Sequence, residues 1–200
     1  MITIALSKGR QYTDFIKYIE ERGITEWVEA LSKVTRELVV EAGDVRFLLV
    51  KGDDVPTYVA EGIAELGITG SDILMESETG VNSLMDLPFG FCHFTIASTE
   101  AKKKYDVIAT KYVNYTRRYF DSIMQPVKII PLKGSVELAA VIGMADAIVD
   151  IVQSGDTLKK NGLKERVTLD KINARLISNK HAYFIKYDEI QAIIERLKVK

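Results

Sequence analysis

The chain has 200 residues, 47% of them hydrophobic and 28% charged, which suits one large domain or two small lobes with real cores. With 27 basic against 28 acidic residues and a formal net charge of -1, it has no overall field to attract nucleic acid or an anionic membrane, so any anionic ligand needs a local cluster of donors. A single cysteine excludes an internal disulfide, and with only two histidines, His93 and His181, a protein-held zinc site is poorly supported.

Short β-rich apolar runs alternate with segments of helical period, which predicts an α/β fold with mostly parallel strands. Ile2 to Leu6 reads as a strand, and Tyr12, Phe15, Ile16 and Ile19 mark one face of a helix that Gly23 closes. Leu38 to Val40 and Val45 to Val50 read as strands. A helix follows at Pro56, with Asp53 or Asp54 as its cap, and then a strand from Leu66 to Thr69. Leu84 to Gly90, with Pro88 and Gly90, is expected to cross between lobes before a strand from Phe91 to Ala97, in which Cys92 reads as a buried, inert thiol. Further strands are expected at Val107 to Ala109, Val127 to Leu132 and Ala147 to Val152, with helices near Thr116 to Met124 and from Ser135. The chain then returns from about Leu163 through Ile172 to Ile177 to a final amphipathic helix carrying Ile190, Ile193, Ile194 and Leu197. No segment approaches the roughly 18 uninterrupted apolar residues of a membrane helix, and the N-terminal apolar run is too short for a signal peptide, so the expected address is cytoplasmic.

The segment Asp146 to Leu158 carries the most chemical information. An apolar strand leads into the small, hydroxyl-bearing loop Ser154-Gly155-Asp156-Thr157, and a helix is expected to begin there. Successive backbone N–H groups and two hydroxyls at a helix start suit a phosphate monoester, while Asp150 could accept from ribose hydroxyls. A plain strand, turn and Ser or Thr helix cap accounts for the same residues. Lys8-Gly9-Arg10 follows the first strand, where ligands of open parallel sheets gather; a basic turn closed by glycine is its ordinary alternative. Arg36 and Lys51, each beside a strand, add charge to the same region or are solvated surface groups. Gly67 to Asp72 repeats the small-residue theme without a Walker or dinucleotide glycine pattern. Gly134-Ser135 could cap a helix that presents Glu137, a residue that also suits the positive end of a helix dipole.

In this order the segments resemble the ATP phosphoribosyltransferase family. The resemblance rests on Ile4 to Arg10, Asp54 to Asp72, Ala109 to Tyr112 with Thr116 to Phe120, Gly134 to Ala139, and Ala145 to Leu163. The implied fold is α/β, two-lobed and like type II periplasmic binding proteins, with an active-site cleft between the lobes. Lobe I would take residues 1–89 and 164–200, and lobe II residues 90–163 with the phosphoribosyl-binding loop. The size resembles the short form, which has no C-terminal regulatory domain.

The implied activity is transfer of the 5-phosphoribosyl group of phosphoribosyl pyrophosphate to N1 of ATP, the first step of histidine biosynthesis. Arg36 and Lys51 would be catalytic. Lys8, Gly9, Arg10, Asp72, Glu137, Asp150, Ser154, Gly155, Asp156, Thr157 and Leu158 would bind substrate. Mg2+ would arrive on the substrate phosphates. The implied partner is a histidyl-tRNA-synthetase-like regulatory subunit in a hetero-oligomer, with self-association and no nucleic acid or membrane. Lys51-Gly52 stands where the family usually has Arg-Pro, and Ser7 and Gln11 where it has Pro and Leu. A non-enzymatic solute-binding module of the same fold, and a phosphoribosyltransferase for another base, are the competing readings.

Overall fold

The computed structural model describes residues 1–198. In chain order the elements are β1 (Ile2–Ser7), α1 (Arg10–Glu21), α2 (Thr25–Ser32), β2 (Val39–Ala42), β3 (Val45–Val50), α3 (Val55–Ala60), β4 (Leu66–Gly70) and α4 (Ser71–Glu76). They continue with β5 (Asn82–Ser98), β6 (Val107–Thr110), α5 (Val113–Ser122), β7 (Lys128–Pro131), α6 (Val136–Val141), β8 (Ala147–Val152), α7 (Asp156–Lys160), β9 (Lys164–Ser178), α8 (Lys180–Ile185) and α9 (Tyr187–Leu197). Two compact units divide the chain. One comprises Met1–Gly90 and the chain from Asn173 onward; the other is Phe91–Ile172.

In the first unit the strand order is β2-β3-β1-β4-β9. β3, β1 and β4 are parallel, while β2 and β9 pair antiparallel with β3 and β4. The period-two alternation of strand side chains sorts the apolar residues onto two faces. Ile4, Leu6, Phe47, Leu49, Leu66 and Ile68 join α1, α2 and α9 in one core. Ala5 and Ile177 join Val55 and Val59 of α3 in the other, with Leu48 and Val50 packed against it. A near-continuous apolar strand is what burial on both faces requires.

Gly67 sets how closely α3 lies on the sheet. A Cβ there would sit 2.7 Å from Val59 Cγ2 and 2.9 Å from Val55 Cγ1. Gly67→Ala is therefore expected to destabilise the protein by about 1–3 kcal/mol through overpacking, read as a lower urea midpoint with unchanged slope.

In the second unit β5 pairs antiparallel with β8, β6 lies parallel between β8 and β7, and β9 runs beside β5. Its core gathers Ala97, Ala109, Ala140, Ile148, Leu158 and Leu163. Phe94 stacks on Tyr115 with ring centroids 3.8 Å apart and meets Tyr112 edge-on. The Tyr115 hydroxyl donates to Asp170 at 2.7 Å; burial first, and this bond second, push its pKa well up.

Several expectations about local structure need correction. Leu84 to Gly90 is not a loop: β5 runs unbroken through Pro88 and Gly90. Gly90 takes φ +69, a backbone state that re-aims a strand without ending it. Helix α2 was unforeseen, because only Trp27 and Leu31 of its residues are buried. Asp53 and Asp54 lie in a short 3-10 turn, and Asp54, at the N-cap position of α3, makes no side-chain cap bond. Cys92 is half-buried, not fully buried. Among the described residues no helix is long and apolar enough to cross a membrane.

Candidate functional site

In the first unit three parallel strands, in the order β3-β1-β4, end on one edge, and the expected site residues follow them. β1 and β3 pair in register to Ser7 and Val50, so Lys8 and Lys51 leave the sheet side by side. The Lys8 amide donates to the Val50 carbonyl at 3.0 Å, which fixes the exit of both. β2 approaches this edge antiparallel, with the Leu49 amide donating to the Leu38 carbonyl at 2.8 Å, and so brings Arg36 to the same end. The Arg36 turn is stapled by Glu37, whose Oε2 accepts from the Thr35 amide, the Arg36 amide and the Thr35 hydroxyl. Those backbone donors first of all pull the Glu37 pKa down to about 2, so the staple stays charged at any working pH.

Gly9 opens α1 at φ 88 and ψ -141, where only glycine is comfortable. It turns the chain so that Arg10 heads a helix with no side-chain cap. Beyond β4, Asp72 is buried in the first turn of α4, and its Oδ1 would lie 2.0 Å from a Cβ on Gly70. Gln11 Nε2 reaches within 3.2 Å of the same point, which joins the start of α1 to the end of β4. Lys8, Gly9, Arg10, Arg36, Lys51 and Asp72 thus share one edge. Ser7 and Gly52 also meet here: a Cβ on Gly52 would lie 3.0 Å from Ser7 Oγ.

The second unit repeats the arrangement with β8, β6 and β7. β8 runs into Gln153 and Ser154; Gly155 then takes φ +75 and ψ 4 and starts α7. Ser154 donates its hydroxyl to Asp156 Oδ2 at 2.9 Å, which ties the acidic side chain to the loop itself. Ser154, Asp156 and Thr157 are exposed and Gly155 half-buried, so the loop's surface is open to a ligand. Asp150 is half-buried on β8 opposite Thr95, and its Oδ1 accepts from the Ile151 amide. Leu158 differs from its neighbours: its side chain is buried in the unit's core, leaving only backbone to offer.

After β7, Ser135 precedes α6 in the left-handed region at φ 50 and makes no cap bond, contrary to the capping role its position suggested. A non-glycine residue held there is backbone strain beside a proposed site. Glu137 stands half-buried in the first turn of α6. Between these loops lies Thr110, to which no role was attached from sequence. Its hydroxyl donates to the Val149 carbonyl at 2.7 Å and accepts from the Tyr112 amide at 2.9 Å, ordering the turn after β6. An ordinary β-branched strand end carried no signal of this. Among the described residues no group of three or more His, Cys, Asp or Glu is placed to hold a metal ion.

Parallel strands delivering small or basic loops to one edge, in each of two units, define an α/β binding fold of the periplasmic type. Two solved structures match at that level alone. The alkanesulfonate-binding protein SsuA from Xanthomonas axonopodis pv. citri bound to MOPS gives a TM-score of 0.60 at 13% identity, over 98% of this chain and 71% of that one. The periplasmic aliphatic sulphonate binding protein SsuA from Escherichia coli gives 0.65 at 12%, over 98% and 70%. The sequence goes further. Residues 51–199 match the model of the HisG family, ATP phosphoribosyltransferase. A Staphylococcus carnosus relative bearing that name is 52% identical across all of this chain and 98% of its own length. The ATP phosphoribosyl transferase HisG:HisZ complex from Thermotoga maritima matches with TM-score 0.83 at 32% identity, over 98% of this chain and 96% of that one. The chain belongs to the ATP phosphoribosyltransferase family.

Proposed function

We propose that this chain transfers the 5-phosphoribosyl group of phosphoribosyl pyrophosphate to N1 of ATP, releasing pyrophosphate and opening histidine biosynthesis. The observation that carries this is the 52% identity to an ATP phosphoribosyltransferase along the entire chain. In the reaction the N1 lone pair of adenine forms a bond to C1 of the ribose. The C1–O bond to pyrophosphate breaks with inversion, and its electron pair leaves with the pyrophosphate. Adenine N1 has no proton to lose, so positioning and electrostatic stabilisation outweigh general-base chemistry.

The assignment of roles follows from which groups each edge offers. The backbone amides and hydroxyls of Ser154 to Thr157 would hold the 5′-phosphate, with Asp150 and Glu137 orienting the ribose hydroxyls and steadying the cationic sugar. Arg36 and Lys51, with Lys8 and Arg10, would meet the leaving pyrophosphate and the ATP phosphates. Magnesium enters as part of the phosphorylated substrates, keeping mostly phosphate and water ligands. We place the enzyme in the cytoplasm, where both substrates are made.

The experiment that separates the readings gives the protein labelled phosphoribosyl pyrophosphate with separate nucleotides and bases. Transfer to ATP alone is expected. Tight binding without transfer would favour the solute-binding module, and transfer to a free base would favour another phosphoribosyltransferase.

The Thermotoga relative is solved as a HisG:HisZ complex, and we carry that association to this chain as a histidyl-tRNA-synthetase-like regulatory subunit. Activity of the 200-residue chain is therefore expected to be weak alone and to rise several-fold with that subunit, histidine inhibition appearing only then. Steady-state rates with and without the subunit, each titrated with histidine, check this. Histidine inhibition of the isolated chain would contradict it.

A further inference from the structure

A histidine and a glutamate, neither with a role in the proposed reaction, stand beside the Ser154 to Thr157 loop. Glu165, near the start of β9, directs Oε1 to within 3.5 Å of where a Cβ on Gly155 would lie. Its other oxygen, Oε2, is bound at 2.7 Å by His93 Nε2. His93 is held in place by β5, which pairs it in register with Val152, the last residue of β8 before the loop. β9 is pinned just after Glu165. Thr95 donates its hydroxyl to the Val167 carbonyl at 2.8 Å, and the Arg166 side chain is spent on Ser98 and on the Thr99 carbonyl. The Glu165 backbone is therefore fixed beside the loop, and the neighbouring arginine does not neutralise its carboxylate.

The loop already carries one carboxylate, Asp156, and a second one fixed against it adds like-charge repulsion to a phosphate dianion unless its charge is cancelled. A carboxylate only accepts, so the His93 ring nitrogen donates and holds the carboxylate in place; a proton on the second ring nitrogen would make it an imidazolium that also cancels the charge. We infer that His93 is a positioning residue that compensates Glu165 behind Gly155, so that the pair sets affinity for the 5′-phosphate of phosphoribosyl pyrophosphate without taking part in bond making. This rests on reading Ser154 to Thr157 as the phosphate loop. An ordinary half-exposed ion pair would have a different signature, since losing either partner would cost a little stability and nothing specific.

The test is a double-mutant cycle of His93→Gln, Glu165→Gln and both together, with Thr157→Val as a separate probe of the loop. KM for phosphoribosyl pyrophosphate and kcat are measured at saturating ATP with the regulatory subunit present, and folding is checked by circular dichroism. Glutamine at 93 keeps a hydrogen bond to Glu165 but leaves the carboxylate uncompensated. His93→Gln is expected to raise KM about tenfold or more with kcat within about twofold, the size of one uncompensated charge a few ångströms away in a partly wet site. Adding Glu165→Gln should bring KM back to within about threefold of wild type, a rescue that only charge compensation predicts. A double variant as impaired as His93→Gln would overturn the inference. So would an unchanged KM in His93→Gln while Thr157→Val raises it. An unchanged KM in Thr157→Val would fell the loop reading itself, and this inference with it.

Discussion

Replacing Gly155 with valine is expected to weaken binding of phosphoribosyl pyrophosphate at least about 100-fold while the protein stays folded. The cause is conformational. Gly155 sits at φ +75, and the nearest atoms to a Cβ there are 3.5 and 3.8 Å away, so a side chain has room but the backbone state does not suit it. A β-branched residue in the left-handed region costs about 1–3 kcal/mol, and the loop can escape that cost by turning its amides away from the ligand. The loop is exposed, so such a rearrangement leaves the buried strands of the unit intact. Asparagine tolerates the left-handed state, and Gly155→Asn should therefore retain more affinity than Gly155→Val. Calorimetric titration of the three proteins checks the order. Undiminished affinity in Gly155→Val would remove the phosphate-loop assignment.

Truncating Arg36 or Lys51 to alanine is expected to slow the chemical step about 100–1,000-fold, more than it weakens substrate binding. Both residues are exposed at the edge where β1 and β3 end, and the Glu37 staple holds the Arg36 turn in shape. Charge grows on pyrophosphate only as the C1–O bond breaks, so a cation placed there favours the transition state over the bound substrate. Lysine at 51 is a point charge where the family's usual arginine has a planar fork, and Lys51→Arg should keep activity. Single-turnover rates for Arg36→Ala, Lys51→Ala and Lys51→Arg, with folding checked alongside, decide the matter. Wild-type rates in both alanine variants would return these residues to the ordinary charged surface.

Much of this was legible because strand and loop chemistry are local. Val45 to Val50 and Ala147 to Val152 are apolar runs bounded by turn residues, and both form strands with those limits. The hydroxyl-bearing loop after β8 and the Lys-Gly-Arg turn after β1 could be found in the same way. What escaped reading depends on partners far along the chain. Lys164 to Lys171 is too polar to look like strand, yet β9 begins there. Pro88 and Gly90 look like a break, yet neighbouring strands carry β5 through them. The His93 and Glu165 pair joins residues 72 positions apart, and no local pattern marks either one. The proximity of Ser7 and Gly52 is of the same kind: the two prove to be neighbours only once β1 and β3 are paired.

The most direct test of the central claim is where the new glycosidic bond lies in the product. The protein, with the proposed regulatory subunit, is given ATP and phosphoribosyl pyrophosphate carrying a carbon-13 label at C1 of the ribose, and the product is examined by heteronuclear NMR. One pyrophosphate is expected to be released per ATP consumed, with the labelled carbon coupled to the adenine positions flanking N1 and its configuration inverted. Attachment at another atom, retention at C1, or pyrophosphate release that does not depend on ATP would contradict that claim.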